Sequence, residues 1–189
     1  MRLVIPAGNE GEGRNKDILC ACLALLFCFV TLPLRAESLE VLALKADAIA
    51  VILPAKKVSY WEEKVIRTRA TLQVRQVIAG RIETKTINVV YDGGVVGKIG
   101  LVVSHGVRLP VGQKSILFLK RTGKDFTVVN QQKGVFFVFP GTNGEVVVPA
   151  EAVHLPPPGL RVKSSRVTPP VGTGVPLNTF IATLQEFRR

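Results

Sequence analysis

The chemistry-bearing residues of this chain concentrate in one stretch. GGVVGKIG (93–100) sets four glycines and a lysine after a strand-like run, and Ser104-His105 follows within a few residues. A loop that grips phosphate needs G-x-x-x-x-G-K-[ST], with backbone N–H groups cradling the phosphate and a hydroxyl on magnesium. Gly97-Lys98 fits, but Asp92 stands five positions before Gly97 and Ile99 replaces the hydroxyl residue. The glycines at 94, 97 and 100 do not make G-x-G-x-x-G, and no helical pattern follows for a dinucleotide to rest on. The stretch therefore reads as a flexible connection in which Gly93, Gly94, Gly97 and Gly100 supply positive φ.

Catalysis has equally little to work with. The only histidines are His105 and His154, and adjacent Ser104 and His105 would point apart on a strand, so no nucleophile–base contact forms. Glu62, Glu63, Asp92, Asp125 and Glu145 fall at turns or strand ends, and no pair is spaced for acid–base work. Two distant histidines make no metal motif. Cys20, Cys22 and Cys28 all lie inside one apolar run, which leaves the remainder without disulfide, thiolate zinc site or catalytic thiol. The sequence thus reads as a non-enzyme with no cofactor and no metal.

Charge is the better guide to partners. The 189 residues carry a formal net charge of +11. Arg67, Arg69 and Arg75 fall on one parity of a strand-like run and, with Lys98, are the candidate anion-binding residues. Trp61, the single tryptophan, is the candidate binding anchor, since a large amphipathic ring suits either an interface or the end of a barrel. Single-strand nucleic acid would require stacking aromatics beside the cations. Only Tyr60 and Trp61 are placed for that, and the phenylalanines sit in core-like runs, which disfavours nucleic acid.

The compartment follows from the first 36 residues. Arg2, Arg14 and Lys16 precede an apolar run from Ile18 to Leu34, and Ala36 offers a small residue before Glu37. This is the order of an export signal. Left uncut, 18–34 is just long enough to anchor the chain in a membrane, and membrane association is expected only by that route. The expected location is outside the cytosol: periplasmic, envelope-associated or secreted. Anionic envelope polymers or lipid headgroups then suit the basic face, as does an exported protein partner. Residues 37–189 keep 21 Lys and Arg against 11 Asp and Glu, a net +10, and are numerous enough to bury about two-thirds of their unfolded surface without covalent staples.

These residues need elements to hold them. SLEVLALKAD predicts a short helix with Ser38 as N-cap and Leu39, Leu42, Ala43 and Ala46 on one face. AIAVILPAKKVSY (48–60) is strand-like. VIRTRATLQVRQVI (65–78) alternates, with Ile66, Ala70, Leu72 and Val74 inward, and stops at Gly80. TKTINVVYD (84–92) turns Ile87, Val89 and Tyr91 inward. SILFLKR, FTVVN, GVFFVFP and EVVVP, spread over 115–149, recur at sandwich or barrel spacing with TGKD and GTNG as turns. ILFL and VFFVF are apolar on both parities, which demands an inner face and a second face covered by a helix. LNTFIATLQEF (177–187) offers that cover through Leu177, Ile181 and Leu184. The divisions are a signal at 1–36, a β domain at 37–153, a Pro/Gly/Ser-rich linker at 154–176 and a C-terminal helix at 177–189.

ADAIAV (46–51), YWEEKVIRTRATLQVRQVIAG (60–80), the loop and strand of 93–121 and KGVFFVF (133–139) together resemble a little-characterised family of exported bacterial proteins. Ala79-Gly80 stands where that pattern has Lys-Gly, and Ile52-Leu53 where it has Gly-x-Val. The likeness extends distantly to netrin-like and TIMP-like OB barrels. It implies a mainly β chain forming a small OB-like β-barrel, with a short N-terminal helix and a C-terminal helix, preceded by the signal helix. Some members lie near metallopeptidases, which implies a partner or inhibitor of an exported metallopeptidase as one function. TIMP-like inhibitors reach zinc through an N-terminal cysteine, and a chain beginning at Glu37 has none. The expected function is an exported, non-enzymatic binding or interaction module. A nucleic-acid-binding OB-like protein is the reading if the chain is not exported.

Overall fold

The computed structural model describes residues 38–155 and 174–188. The expected signal or anchor at 1–36 and most of the expected linker, 156–173, lie outside them. Among the described residues no helix is long and apolar enough to cross a membrane.

The chain is mainly β, with one short helix before the strands and one after. Helix α1 (Leu39–Lys45) starts where Ser38 Oγ accepts the Val41 N–H at 3.4 Å and buries Leu42 and Ala43. Strands β1 (Ala48–Glu62) and β2 (Val65–Gly80) form a long antiparallel ribbon, and β3 (Thr86–Asp92) pairs with β2. The glycine stretch contributes two short strands, β4 (Gly94–Val96) and β5 (Ile99–Leu101). After it come β6 (Ser115–Thr122), β7 (Asp125–Val128), β8 (Val135–Gly141) and β9 (Gly144–Pro149), each antiparallel to a neighbour.

Strand β1 pairs with β6 as well as β2, through Ala48–Ile52. The pairings therefore run round a circuit, β1-β2-β3-β7-β6-β1. One joint in it, β3 to β7, is a single parallel pair, Val89 with Phe126, so the barrel is not clearly closed. Register shifts in β1 between Ile49 and Ala50, Val51 and Ile52, and Pro54 and Lys56 mark irregularities of the kind that bend a strand and increase its twist.

The two-sided apolar strands behave as their sequence demands. Leu117, Leu119, Val135, Phe137 and Phe139 join Ala50, Leu72 and Val89 in one core cluster. The opposite parity, Ile116, Phe118, Phe136 and Val138, joins Ile49 and Val51 in a second cluster with α1 and the C-terminal helix α2 (Leu177–Glu186). The rings of Phe118, Phe136 and Phe180 form a chain with centroids 5.6 and 5.0 Å apart. No buried polar side-chain atom among the described residues lacks a partner.

Three expectations change. Phe180, absent from the expected helical stripe, is buried with Leu184, while Leu177 and Ile181 pack at the margin. Leu155, within the expected linker, is buried in the first cluster. The linker's end is not irregular: β10 (Val175–Pro176) pairs with β9. At the junction of α1 and β1, Asp47 accepts the Arg121 N–H at 2.8 Å and faces Lys120. That backbone hydrogen bond, aided by Lys120, lowers its pKa below 3.8. Its contribution is complete above the ordinary carboxylate range and fades as pH falls through the lowered value.

Leu184→Ala and Phe180→Ala should each cost about 2–5 kcal/mol in chemical denaturation, since each opens a hole in the second cluster. Gln185→Ala, on the exposed side of α2, should stay within about 0.5 kcal/mol of the parent.

Candidate functional site

The far end of the β1–β2 ribbon carries most of the residues singled out from sequence. Strand β1 is largely buried from Ala48 to Pro54 and largely exposed from Ala55 to Glu62, because its pairing with β6 ends at Ile52. Beyond that point β1 has β2 as its one strand neighbour among the described residues, while β2 stays paired with β3 as far as Arg67, and the ribbon turns at Glu63-Lys64, where Glu63 has φ 54°.

The glycine stretch is not the flexible connection expected. It forms a second hairpin, β4 with β5, around the two-residue turn Gly97-Lys98. Gly97 takes φ 60° at the first turn position, where a tight hairpin turn calls for glycine. Hydroxyls hold this hairpin to the ribbon. Thr68 Oγ1 donates to the Gly93 carbonyl at 2.6 Å and lies 2.8 Å from Ser59 Oγ, which accepts the Val95 N–H at 3.4 Å. The Gly93 N–H donates to the Ile66 carbonyl at 2.7 Å. Gly94 has φ 134°, and a Cβ there would overlap both hydroxyls. The expectation of positive φ at all four glycines holds for three of them, and Gly100 does not show it.

The arginines point outward as expected, yet Arg67 and Arg69 are not free cations. Arg67 Nε donates to Asp92 Oδ1 at 3.0 Å and its guanidinium also meets Glu62. Arg69 Nη2 bonds Asp125 Oδ2 at 3.0 Å, with its guanidinium 5.7 Å from the Tyr60 ring centre. Glu62, Asp92 and Asp125 are thus ion-pair partners, and Glu145 binds Lys114. The strand register sets the pair directly, Arg67 opposite Asp92. The loop between β2 and β3 carries no sequence signal for that register.

The candidates divide into separate places. Antiparallel partners share a face, so Tyr60 opposite Arg67 and Val58 opposite Arg69 place the arginines on one side. Trp61 opposite Ile66, and Ser59 opposite Thr68, lie on the other. Trp61 is 48% exposed and has the arginines behind it rather than beside it. Arg75 lies eight residues further along β2 from Arg67, about 26 Å away, next to the core half of β1. Lys98 sits exposed at the hairpin tip. No single anion site collects Arg67, Arg69, Arg75 and Lys98. Partial desolvation lowers the pKa of Lys57, on the Trp61 side of the ribbon. Burial pushes the Tyr91 hydroxyl up to about 12.

His105 is a loop residue with φ 56°, and its carbonyl accepts the Gln132 N–H at 3.1 Å. No group of His, Cys, Asp and Glu among the described residues is placed to hold a metal ion. Comparison with known protein families, curated proteins and solved structures finds no match for this chain.

Gly94→Ala should lower stability by at least about 2 kcal/mol and free the hairpin from the ribbon, seen as loss of amide protection at Val95. Gly97→Ala, with open space around the added methyl, should cost about 1 kcal/mol. Gly100→Ala should be near neutral.

Proposed function

We propose that this chain is an exported, non-enzymatic interaction module that engages a protein partner with the end of its β1–β2 ribbon. The observation that supports this reading is the clustering of exposed apolar side chains. Of the nine large apolar residues exposed among the described residues, Val58, Trp61 and Val65 lie at the ribbon end, and Ile99 and Val102 lie on or beside the hairpin clasped to it. A folded chain gains nothing from gathering apolar surface at one extremity unless something covers it. Val58 and Val65 face one way and Trp61 the other, so the apolar surface wraps the tip and suits insertion into a groove.

Trp61 is the anchor in this reading, a large rigid ring presented at low entropic cost. The Arg67–Asp92 and Arg69–Asp125 pairs leave that stretch of β2 with little net charge, which favours a protein groove over an anionic polymer, a lipid surface or nucleic acid. The cleft of an exported peptidase is one groove of suitable form. The export part of the proposal rests on the charged start and the apolar run at 18–34. The OB-like part rests on the five-strand circuit with its thin parallel joint, an arrangement that fits a partly open barrel.

A photocrosslinking residue placed at position 61 in the producing cells should yield one discrete protein adduct, and the same residue at Val77, exposed on the core half of β2, should not. Trp61→Ala should weaken capture of that adduct partner by about tenfold or more. Equal adducts from both positions, or none from position 61, would contradict the proposal.

A further inference from the structure

A second concave site lies among residues that neither the ribbon nor the glycine hairpin uses. A cleft of about 430 Å³ opens between the loop after β5, the 3-10 turn Gln131–Gly134 and the 3-10 turn Ala150–Ala152. Its volume falls in the range of small-ligand sites. His105, Arg108, Gln132, Glu151, Val153 and Leu155 are among its lining residues.

The cleft has a built wall and an apolar base. Val153 and Leu155 are buried apolar residues. Arg108 Nη1 donates to the Leu155 carbonyl at 3.1 Å, which fixes the guanidinium, and its other guanidinium N–H groups have no partner among the described residues. The Arg108 backbone N–H donates to Gln132 Oε1 at 2.8 Å, and the Gln132 N–H donates to the His105 carbonyl at 3.1 Å. Gln132 is one of only three buried polar residues among those described, and both of these bonds hold the His105–Arg108 segment in place. Backbone strain gathers here as well. Of the four non-glycine residues with positive φ, His105, Asn130 and Gln131 lie on this cleft or immediately before Gln132. Left-handed backbone held in place by its surroundings is a mark of sites where geometry serves binding.

We infer that this cleft binds a terminal carboxylate carried on an apolar residue, as at the C-terminal end of a peptide or in a small N-acyl amino acid. The Arg108 guanidinium meets the carboxylate in a charge-assisted pair, His105 lies beside it, and Val153 and Leu155 receive the apolar side chain. Glu151, the only carboxylate among the described residues that line the cleft, accepts the amide N–H next to the terminal carboxylate. The site shares no residue with the ribbon end, so its test is independent of the one at Trp61.

Calorimetric titration of the native full chain tests this with N-acetyl-leucine, N-acetyl-leucine amide, and a short leucine-ending peptide in free-acid and amidated forms. The expected result is saturable binding of a free acid, with its amide weaker by about tenfold or more. Binding of N-acetyl-leucine alone identifies a small free acid, and binding of the free-acid peptide as well identifies a peptide tail. Arg108→Lys and His105→Asn should each weaken the acid, asparagine being chosen because it tolerates the left-handed backbone. Lys124→Gln, at the exposed turn between β6 and β7, should leave binding unchanged. Equal affinity for acid and amide, no saturation by any of the four up to about 10 mM, or an unaltered affinity in folded His105→Asn would overturn the inference. Should Arg108→Lys fail to fold, the acid–amide comparison on the parent chain and the histidine variant decide.

Discussion

Strands β6 and β8 are apolar on both faces between Ile116 and Leu119 and between Val135 and Phe139, and a sheet built this way must be covered twice. The curling of β1, β2, β3 and β7 covers one face. Helices α1 and α2 cover the other, at the two ends of the described chain. Everything else is placed by this requirement. The early half of β1 is caught between β2 and β6, with Ala50 and Ile52 in one cluster and Ile49 and Val51 in the other, and it becomes the strand that both cores share.

The same requirement explains why the ribbon end is different. Past Ile52 no second strand among the described residues pairs with β1, although β2 stays paired with β3 as far as Arg67, and past Pro54 the β1 residues are largely exposed. What holds this end of the ribbon is the pairing of β2 with both β1 and β3, the Ser59–Thr68 hydroxyl contact and the hairpin that Gly94 allows to approach. Surface ion pairs such as Arg67–Asp92 add little stability on their own, but they fix long side chains and remove free charge from that face. An exposed apolar ribbon end on a firm body suits the recognition role proposed above, because it can meet a groove without disturbing the core.

Much of this architecture is legible in the sequence, and the reasons are physical. Period-2 alternation in 65–74 and the two-sided runs ILFL and VFFVF name the strands and imply a helical cover, because burial dictates hydrophobic pattern directly. Ser38 marks the start of α1 for the same kind of reason. The site is less legible. That Arg67 is neutralised depends on the β2–β3 register, which the intervening loop does not announce, and that Arg69 is neutralised depends on β7 lying beside β3, a pairing of non-adjacent strands that leaves no local trace. The glycines are recognisable as backbone devices, but Gly94 is needed because two hydroxyls stand where its Cβ would go, and only the fold brings Ser59 and Thr68 there. The cleft at Arg108 is built by segments some twenty to fifty residues apart in sequence. Its one sequence signal is His105, which looks idle because its neighbour Ser104 suggests a nucleophile that geometry forbids.

Native-state amide hydrogen exchange tests the central claim most directly, that a doubly covered sheet supports a locally held recognition tip. Amides of 116–119 and 135–139 should exchange only through global unfolding. Those of 57–67 should exchange through local opening, at least about a hundredfold faster. Protection at 57–67 as strong as at 116–119 would contradict the account, since the ribbon end would then belong to the core rather than project from it.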